Sequence, residues 1–274
     1  MNRSGLLALR HSTSRELDAI YILWLREVKR FFRLRSRVVG SVGMPFFLLI
    51  FLGLAPVSFP GMPTGRYINL LAPGIVGMVL LFSSMGAGTS VLWDREFGFL
   101  KEIMVAPIRR SSIVLGKIGG GITTSLFQGL LILALALPLG LKLTGISTIP
   151  SPTSLALGFS LSLVFMLLIG VTFVGLGLAF ASKMSDIHGF QLIWNFLVFP
   201  VFLLSGALIP VDMFPGWLEM LAYVDPLTYG VDGLRGCLVG YSHFSLWFDF
   251  LVLVGCGALT VGLGSYLFSR VEVD

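Results

Sequence analysis

The chain has 274 residues, of which 55% are hydrophobic and 12% are charged, and its formal net charge is +5. Its mean hydropathy of +0.92 excludes an ordinary soluble domain of this length and predicts an integral membrane protein. The positive charge needs no nucleic-acid partner, because basic flanking segments set membrane topology and contact anionic lipid.

Residues 14–33 are predicted to form an amphipathic helix. Apolar side chains recur there at spacings of three and four, and basic side chains occupy the opposite face. Thr13 followed by Glu16 fits a capping box at the start of this helix. Such a helix is typical of the cytoplasmic membrane surface. The alternative is a cytosolic helix packed on a partner.

Six apolar runs are long enough to cross a bilayer as helices, because a hydrocarbon core of about 30 Å needs about 20 residues. Their continuous apolar character favours helices over the alternating strands of a barrel. The predicted spans are residues 38–55, 68–92, 113–139, 155–181, 191–209 and 246–268.

A polar island, residues 93–110, separates the second span from the third. Apolar Phe97, Leu100, Ile103 and Met104 recur in it at helical spacing, with charged residues between them. The island is therefore predicted to be an amphipathic helix, a surface on which another protein could act.

Lysine and arginine are distributed unequally between the two predicted sides of the membrane. Nine precede the first span, four lie in the island, and Lys183 and Arg270 are on the same side. The other side has Arg66, Lys142 and Arg235. The positive-inside rule then predicts a multi-pass protein of the cell membrane, with both termini and the island on the cytoplasmic side.

Residues 210–245 are too polar and too rich in proline to cross the membrane, yet they contain many aromatic side chains. They are predicted to lie at the outer interface, or to enter the membrane and return. Asp225 and Pro226 have the chemistry of a helix start, and Gly240 that of its end after Val239. This segment is either an aromatic cap or a gate for a substrate.

The spans are almost free of ionisable groups. Lys117 lies about one turn inside the third span, from which its side chain can reach the interface, and Asp249 lies near the outer end of the sixth. Ion-coupled pumps ordinarily carry charges near the bilayer midplane. The pattern therefore argues against self-powered transport.

No catalytic, metal or nucleotide site is predicted. His11, His188 and His243 are far apart in sequence and on different predicted sides, so they do not suggest a metal cluster or a base beside a nucleophile. Gly116-Lys117 lacks the other positions of a phosphate-binding loop. We expect this chain to be no enzyme and to bind no cofactor of its own.

Two blocks of sequence resemble the membrane subunit of ATP-binding-cassette exporters of the type-2 permease family. The first runs from Trp93-Asp94-Arg95-Glu96 to Pro107-Ile108-Arg109-Arg110. The second consists of Leu204-Ser205-Gly206, Pro210, Phe214-Pro215, Trp217-Leu218, Asp225-Pro226-Leu227-Thr228-Tyr229 and Leu234-Arg235. The order of an amphipathic helix and then six spans is also similar. Lys101-Glu102 and Asp225 are small departures from the family's pattern.

The resemblance implies an all-α membrane protein. Residues 1–37 would be a cytoplasmic tail with an amphipathic interfacial helix, and residues 38–274 a permease domain of six transmembrane helices. Within that domain, about 93–110 would be a coupling helix and about 210–245 an outer re-entrant segment. Such permeases work as pairs, identical or paralogous, with two separately encoded ATPase subunits that bind ATP and Mg²⁺. The residues expected to meet the ATPase are Asp94, Arg95, Glu96, Phe97, Leu100, Lys101, Glu102 and Arg109.

The main functional hypothesis is ATP-driven export of an amphipathic compound, whether a drug-like molecule, a lipid or a lipid-linked glycan. The candidate substrate path contains Phe47, Phe82, Gln191, Asn195 and Phe199, and the candidate outer gate contains Phe214, Trp217 and Tyr229. Gln191 and Asn195 could instead form hydrogen bonds between helices, and the aromatic residues could simply face lipid. A different class of function is an ATP-independent channel or scaffold whose island docks a cytosolic regulator.

Overall fold

The computed structural model describes residues 3–54, 67–105, 108–147, 151–184 and 186–270, although the side chains of residues 3–14, 35, 37, 101 and 104 lie outside that description. All regular structure in these ranges is helical, as predicted. The α-helices are α1 Arg3–Arg33, α2 Arg35–Gly53, α3 Tyr67–Gly86, α4 Thr89–Glu96, α5 Phe99–Val105, α6 Arg110–Ala136, α7 Pro152–Lys183, α8 Ile187–Leu204, α9 Gly216–Ala222, α10 Pro226–Val239 and α11 Leu246–Ser269.

Five segments of the described chain are long and apolar enough to cross a membrane: Tyr67–Glu96, Arg110–Ala136, Pro152–Lys183, Ile187–Leu204 and Leu246–Ser269. They correspond to the last five predicted spans. The predicted first span corresponds to α2, which counts as a sixth candidate when Arg15–Arg33 and Val38–Gly53 are taken as one span bent by 67°. The number of spans is thus five or six.

Helix α3 forms the centre of the bundle, with α2, α6, α7, α8 and α10 packed around it. Leu71, Ile75 and Leu80 on α3 are fully buried. A helix that is apolar on every side becomes a core helix when other helices can cover it. The core around α3 is the larger of two, and the smaller lies beneath the island.

Helix α1 packs along the first half of α6 through a row of glycines. A Cβ at Gly116 would lie 2.7 Å from the Cβ of Leu23, and one at Gly120 would lie 2.5 Å from the Cβ of Glu27. The missing side chains allow the two helices to approach closely. The Trp24 indole also donates a hydrogen bond to Thr123 Oγ1 at 2.9 Å.

The predicted start of α1 is wrong. The helix begins at Arg3, so Thr13 and Glu16 lie inside it and form no capping box there. The Glu16 carboxylate instead accepts hydrogen bonds from the backbone N–H of Arg109, at 3.1 and 3.2 Å, and from Ser112 Oγ at 2.5 Å. These contacts satisfy free groups at the start of α6, because Arg109 supplies no side-chain cap of its own.

The predicted helix after Asp225 is confirmed. Its carboxylate accepts from the Leu227 N–H at 2.9 Å, α10 runs from Pro226 to Val239, and Gly240 adopts a left-handed conformation with φ of 70°. Glycine adopts this conformation without the steric penalty of a Cβ, which explains the sharp end of the helix. Every residue of α10 after Pro226 is buried, and the helix packs against α3, α7 and α11.

Candidate functional site

The island does not form one continuous amphipathic helix. Helix α4 belongs to the same candidate span as α3 and ends at Glu96, and α5 begins at Phe99. Gly98 lies between them with φ of 75°, the left-handed region that favours glycine. Helical spacing predicted one face for the whole segment, and this turn breaks it into two faces.

The turn separates the apolar residues that the sequence grouped together. Leu100 and Ile103 are buried in the smaller core with Ile113 and Ile118 of α6. Phe97 is 71% exposed, and its ring stacks on that of Trp93 with centroids 5.3 Å apart. The Met104 side chain lies outside the described residues. Phe97 and Trp93 therefore form an apolar surface outside the core, and Leu100 anchors the segment from within.

Beneath the island lies a charged cluster formed by Arg26, Glu27, Arg30, Asp94 and Lys117. The Asp94 carboxylate is central, because Oδ2 accepts from both Arg26 Nη2 and Lys117 Nζ at 2.5 Å. Arg30 Nη1 is 4.0 Å from Asp94 Oδ1, and Lys117 Nζ is 3.6 Å from Glu27 Oε1. The cluster thus joins α1, α4 and α6 through their side chains.

The expectation that Lys117 reaches the membrane interface is wrong. Lys117 is only 4% exposed, and its ammonium group pairs with the carboxylate of Asp94, which is 6% exposed. Removing one partner from such a pair would leave a buried charge uncompensated. The three cations and two carboxylates of the cluster give it a formal charge of +1, so one positive charge is left without a matching carboxylate inside the cluster.

The other island residues differ in their surroundings. Arg95 donates a hydrogen bond to the Met184 carbonyl at 3.4 Å, which joins α4 to the end of α7. Glu96, Glu102 and Arg109 are exposed. The Lys101 side chain lies outside the described residues. Of the residues expected to meet an ATPase, the exposed ones are therefore Glu96, Phe97, Glu102 and Arg109, whereas Asp94 and Leu100 are buried within this chain.

The island is also tied to α1 through Glu16. Hydrogen bonds from Ser112 and from the Arg109 backbone lower the pKa of the Glu16 carboxyl group below its usual value of 4.5. At neutral pH the carboxylate is ionised and its acceptor capacity is fully available. A negative charge is favourable at the start of α6, where helix N–H groups point outward.

A cavity of about 430 Å³, the main cavity, lies beside the charged cluster between α1, α2, α3, α6 and α8. Two residues of the predicted substrate path, Phe82 and Phe199, line it. Phe47 is exposed on α2 and packs against Phe51. Gln191 and Asn195 lie on the exposed side of α8. The structure therefore brings together two of the five path residues and leaves the other three on the outer surface of the bundle.

The three residues of the predicted outer gate lie at the opposite end of the bundle, and they differ in burial. Trp217 is exposed on α9 and Phe214 is half-buried. Tyr229 is buried, donates a hydrogen bond to the Tyr223 carbonyl at 2.7 Å and packs its ring against Phe244. The three aromatic residues therefore have different surroundings, and Tyr229 holds the segment together from inside.

A buried arginine fixes the connection between α8 and α10. Arg235 donates hydrogen bonds to the carbonyls of Gly206, Ala207 and Leu70 at 2.8, 3.4 and 3.3 Å. On the same helix, Asp232 accepts from the backbone N–H groups of His243 and Phe244 at 2.8–2.9 Å. Both charged groups satisfy backbone polar atoms that lie away from water.

Sequence reasoning missed the charged cluster as a unit. The sequence pattern places Arg26 and Arg30 on the basic face of an amphipathic helix and Lys117 at a membrane edge, and it gives Glu27 no role. One signal was present, since Lys117 is the single basic residue inside the third apolar run and Glu27 lies among the arginines and lysine of α1. An isolated charge in an apolar run needs a partner, but the sequence did not indicate which helix would supply it.

Comparisons with known proteins agree with this architecture. The family described as ABC-2 type transporter matches residues 18–239. The chain is 28% identical over 256 residues to the transport permease ycf38 of Cyanophora paradoxa, covering 90% of this chain and 83% of the relative. It is 26% identical over 242 residues to the inner membrane transport permease YadH of Escherichia coli K12, covering 86% and 89%. The chain therefore belongs to the ABC-2 type transporter family, as a multi-pass membrane permease whose ATPase is in a partner subunit.

Proposed function

We propose that this permease exports an amphipathic compound from the cytoplasm, using ATP hydrolysed by the partner subunit. ATP and Mg²⁺ would bind to that partner and not to this chain. The observation that carries the proposal is the island, where an exposed aromatic and acidic surface lies directly over a buried cluster of ion pairs that joins three helices.

The exposed part of the island is the proposed seat for the ATPase. Phe97 and Trp93 offer apolar area, and Glu96 and Glu102 are exposed carboxylates beside it. Aromatic residues surrounded by charged ones are typical of the centres of protein interfaces. We therefore assign the role of coupling helix to α4 and α5 together, with the turn at Gly98 between them.

The buried part of the island is the proposed transmission element. A force on Phe97 would act on α4, and through Asp94 on α1 and α6 at the same time. Interfaces held by ion pairs can change between discrete arrangements when one element shifts. Asp94 and Leu100 then act by positioning the island and by carrying its movement, instead of touching the ATPase.

The orientation and the assembly are further parts of this proposal. The charge distribution supports placing both termini and the island in the cytoplasm, with residues 1–37 as a tail and residues 38–274 as the permease domain. The exposed apolar faces of α2 and α8 support pairing with a second copy or a paralogous permease. Residues 210–245, with α10 buried inside the bundle, would be the re-entrant outer segment that closes the exit.

The experiment is co-purification of the permease with its partner ATPase. Phe97→Ser removes the exposed aromatic ring without touching the core, and we expect it to reduce ATPase recovery about tenfold, equivalent to about 1.4 kcal/mol of binding free energy. The matched control is Val224→Ser, which removes a residue that is 80% exposed at the other end of the bundle and should leave recovery unchanged.

Liposomes that contain the complex then separate export from the alternative function. ATP-dependent transport that is lost in Phe97→Ser supports export through the island. Equal ATPase recovery for both variants would contradict the proposed seat. ATP-independent flux that is insensitive to Phe97→Ser would favour a channel over an exporter.

A further inference from the structure

The main cavity differs from the rest of the bundle in having one charged end and one apolar end. Arg30, Glu27 and Lys117 line the charged end, whereas Met78 and Phe82 belong to its apolar walls. Its volume of about 430 Å³ falls within the range of roughly 300–1,000 Å³ that is usual for drug-sized ligands. Such a space accommodates a small molecule and is too small to enclose a polymer.

One face of α6 sets the length of the cavity. Lys117, Gly120, Gly121, Thr124 and Gln128 all line it, and this spacing of three and four keeps them on a single side of the helix. The eleven steps along the helix from Lys117 to Gln128 correspond to about 16 Å at about 1.5 Å per residue. The cavity is therefore elongated and follows the helix.

The charges at the end of the cavity are unequally satisfied. Asp94 accepts from Arg26 and Lys117 at 2.5 Å, whereas Arg30 is 4.0 Å from the same carboxylate. The Arg30 guanidinium carries five N–H donors, and it is the cation of the cluster most weakly engaged by Asp94. An acidic group in the cavity would complete its pairing and neutralise the charge of +1.

A further donor lies in the apolar part of the cavity. Trp194 lines the wall, and its buried indole N–H has no hydrogen-bond acceptor among the described residues. The cavity also borders the face that α2 and α8 share, where its lining residues Met44 and Phe199 are 65% and 54% exposed on the single chain.

We infer that the main cavity binds a single-chain amphiphilic anion, with its carboxylate or phosphate on Arg30 and its apolar chain along α6 towards Gln128. Guanidinium groups match these two acids in a planar, two-pronged geometry. The inference rests on the proposed function in one respect, since it names the class of compound that would be exported. Binding next to Asp94 would place the ligand one contact away from the island.

The test measures binding of 12-bromododecyl phosphate to the purified full chain in nanodiscs of neutral phosphatidylcholine, by quenching of tryptophan fluorescence. We expect saturable quenching that Trp194→Phe largely removes. Arg30→Gln should weaken binding at least tenfold. The matched control is Arg33→Gln, which removes the same charge from an exposed position on the same helix and should leave the affinity within twofold.

Two companion measurements decide the chemistry of the ligand. Uncharged 12-bromododecanol should bind to the natural chain at least tenfold more weakly than the phosphate does. To Arg30→Gln, the alcohol and the phosphate should bind with equal affinity. Equal affinities of Arg30→Gln and Arg33→Gln for the phosphate would overturn the inference. Displacement of the probe by an equal amount of phosphatidylglycerol would also overturn it, because the occupant would then be a two-chain membrane lipid. Neither readout involves the ATPase, so this inference can fail while the coupling role of the island stands.

Discussion

The two ends of the bundle use charged side chains in different ways. At the island end, Asp94 pairs with Arg26 and Lys117, so the contacts run between side chains of three helices. At the α10 end, Arg235 and Asp232 bond to backbone atoms of neighbouring segments. The first arrangement joins helices that remain separate elements, and the second fixes the path of the chain itself.

This difference has a mechanical meaning. Both members of a side-chain pair can rotate, so helices joined by ion pairs can shift and form the pairs again in a second arrangement. A backbone carbonyl is fixed by its own peptide unit, and moving it away from Arg235 would expose an unsatisfied polar group. The island end is therefore suited to movement and the α10 end to rigidity, and four predictions test this comparison.

The largest effect is expected at Arg235. Arg235→Met removes the donor for the carbonyls of Leu70, Gly206 and Ala207 and also leaves Asp232 without this neighbouring cation. We expect a loss of about 4–5 kcal/mol in the free energy of unfolding, because three buried carbonyls lose a charged hydrogen-bond donor. Unfolding by sodium dodecyl sulfate measures it. A loss below about 1 kcal/mol would show that the α10 end is not held by this residue.

The next effect concerns the pair of Asp94 and Lys117. Each single variant, Asp94→Asn and Lys117→Met, is expected to lose about 3 kcal/mol, because a buried charge loses a partner. The double variant should lose less than the sum, with a coupling of about 1–3 kcal/mol in a double-mutant cycle. The same double variant should remain folded and lose ATP-driven transport. Additive losses, or intact transport, would contradict a linkage through this pair.

A smaller effect is expected where α1 meets α6. Gly116→Ala places a Cβ 2.7 Å from the Cβ of Leu23, and overpacking of this kind should destabilise the chain by about 1–2 kcal/mol. Gly262→Ala on α11 is the control, since nothing lies within 4 Å of its added Cβ, and alanine favours a helix over glycine. Thermal unfolding of the two variants should separate them. Equal melting temperatures would indicate that α1 is loosely attached.

The smallest effect is expected at Glu16 and depends on pH. Its pKa is lowered in the folded chain by Ser112 and the Arg109 backbone, so its contribution is present above the unfolded-state pKa and is lost as pH falls through the folded value. Between pH 7 and pH 4 the natural chain should lose more thermal stability than Glu16→Gln. Asp18→Asn, an exposed carboxylate on the same helix, is the control and should follow the natural chain. If Glu16→Gln loses as much thermal stability as the natural chain over this pH range, the hydrogen bonds to Glu16 contribute no stability.

The sequence predicted the parts of the fold that local chemistry decides. Apolar runs gave the last five spans to within a few residues, since hydrophobic length depends on composition alone. Asp225, Pro226 and Gly240 gave both ends of α10, because capping and left-handed turns use specific residue types. The start of α1 was missed, as Glu16 has the same chemistry whether it caps its own helix or another one.

The candidate site was predicted only in part, because the exposure of a side chain depends on which other segments pack against it. The island was located correctly as a segment, yet Phe97 and Leu100 were placed on one face, and the turn at Gly98 separates them. Phe82 and Phe199 line the main cavity, whereas Gln191 and Asn195 do not belong to its lining. Helical spacing shows which residues share a face of one helix, but it does not indicate which other helix covers that face.

The sequence by itself determined that this chain is a helical membrane protein, where its spans lie, and which segment interrupts them with charge. These properties follow from hydrophobicity and capping, which act over a few neighbouring residues. Only the tertiary structure decided that Asp94 and Lys117 form a buried pair with α1, that Arg235 bonds to three distant carbonyls, and that a cavity lies beside the cluster. Those properties depend on contacts between residues far apart in the chain, where a charge in an apolar environment takes whichever partner the packing of helices brings within reach.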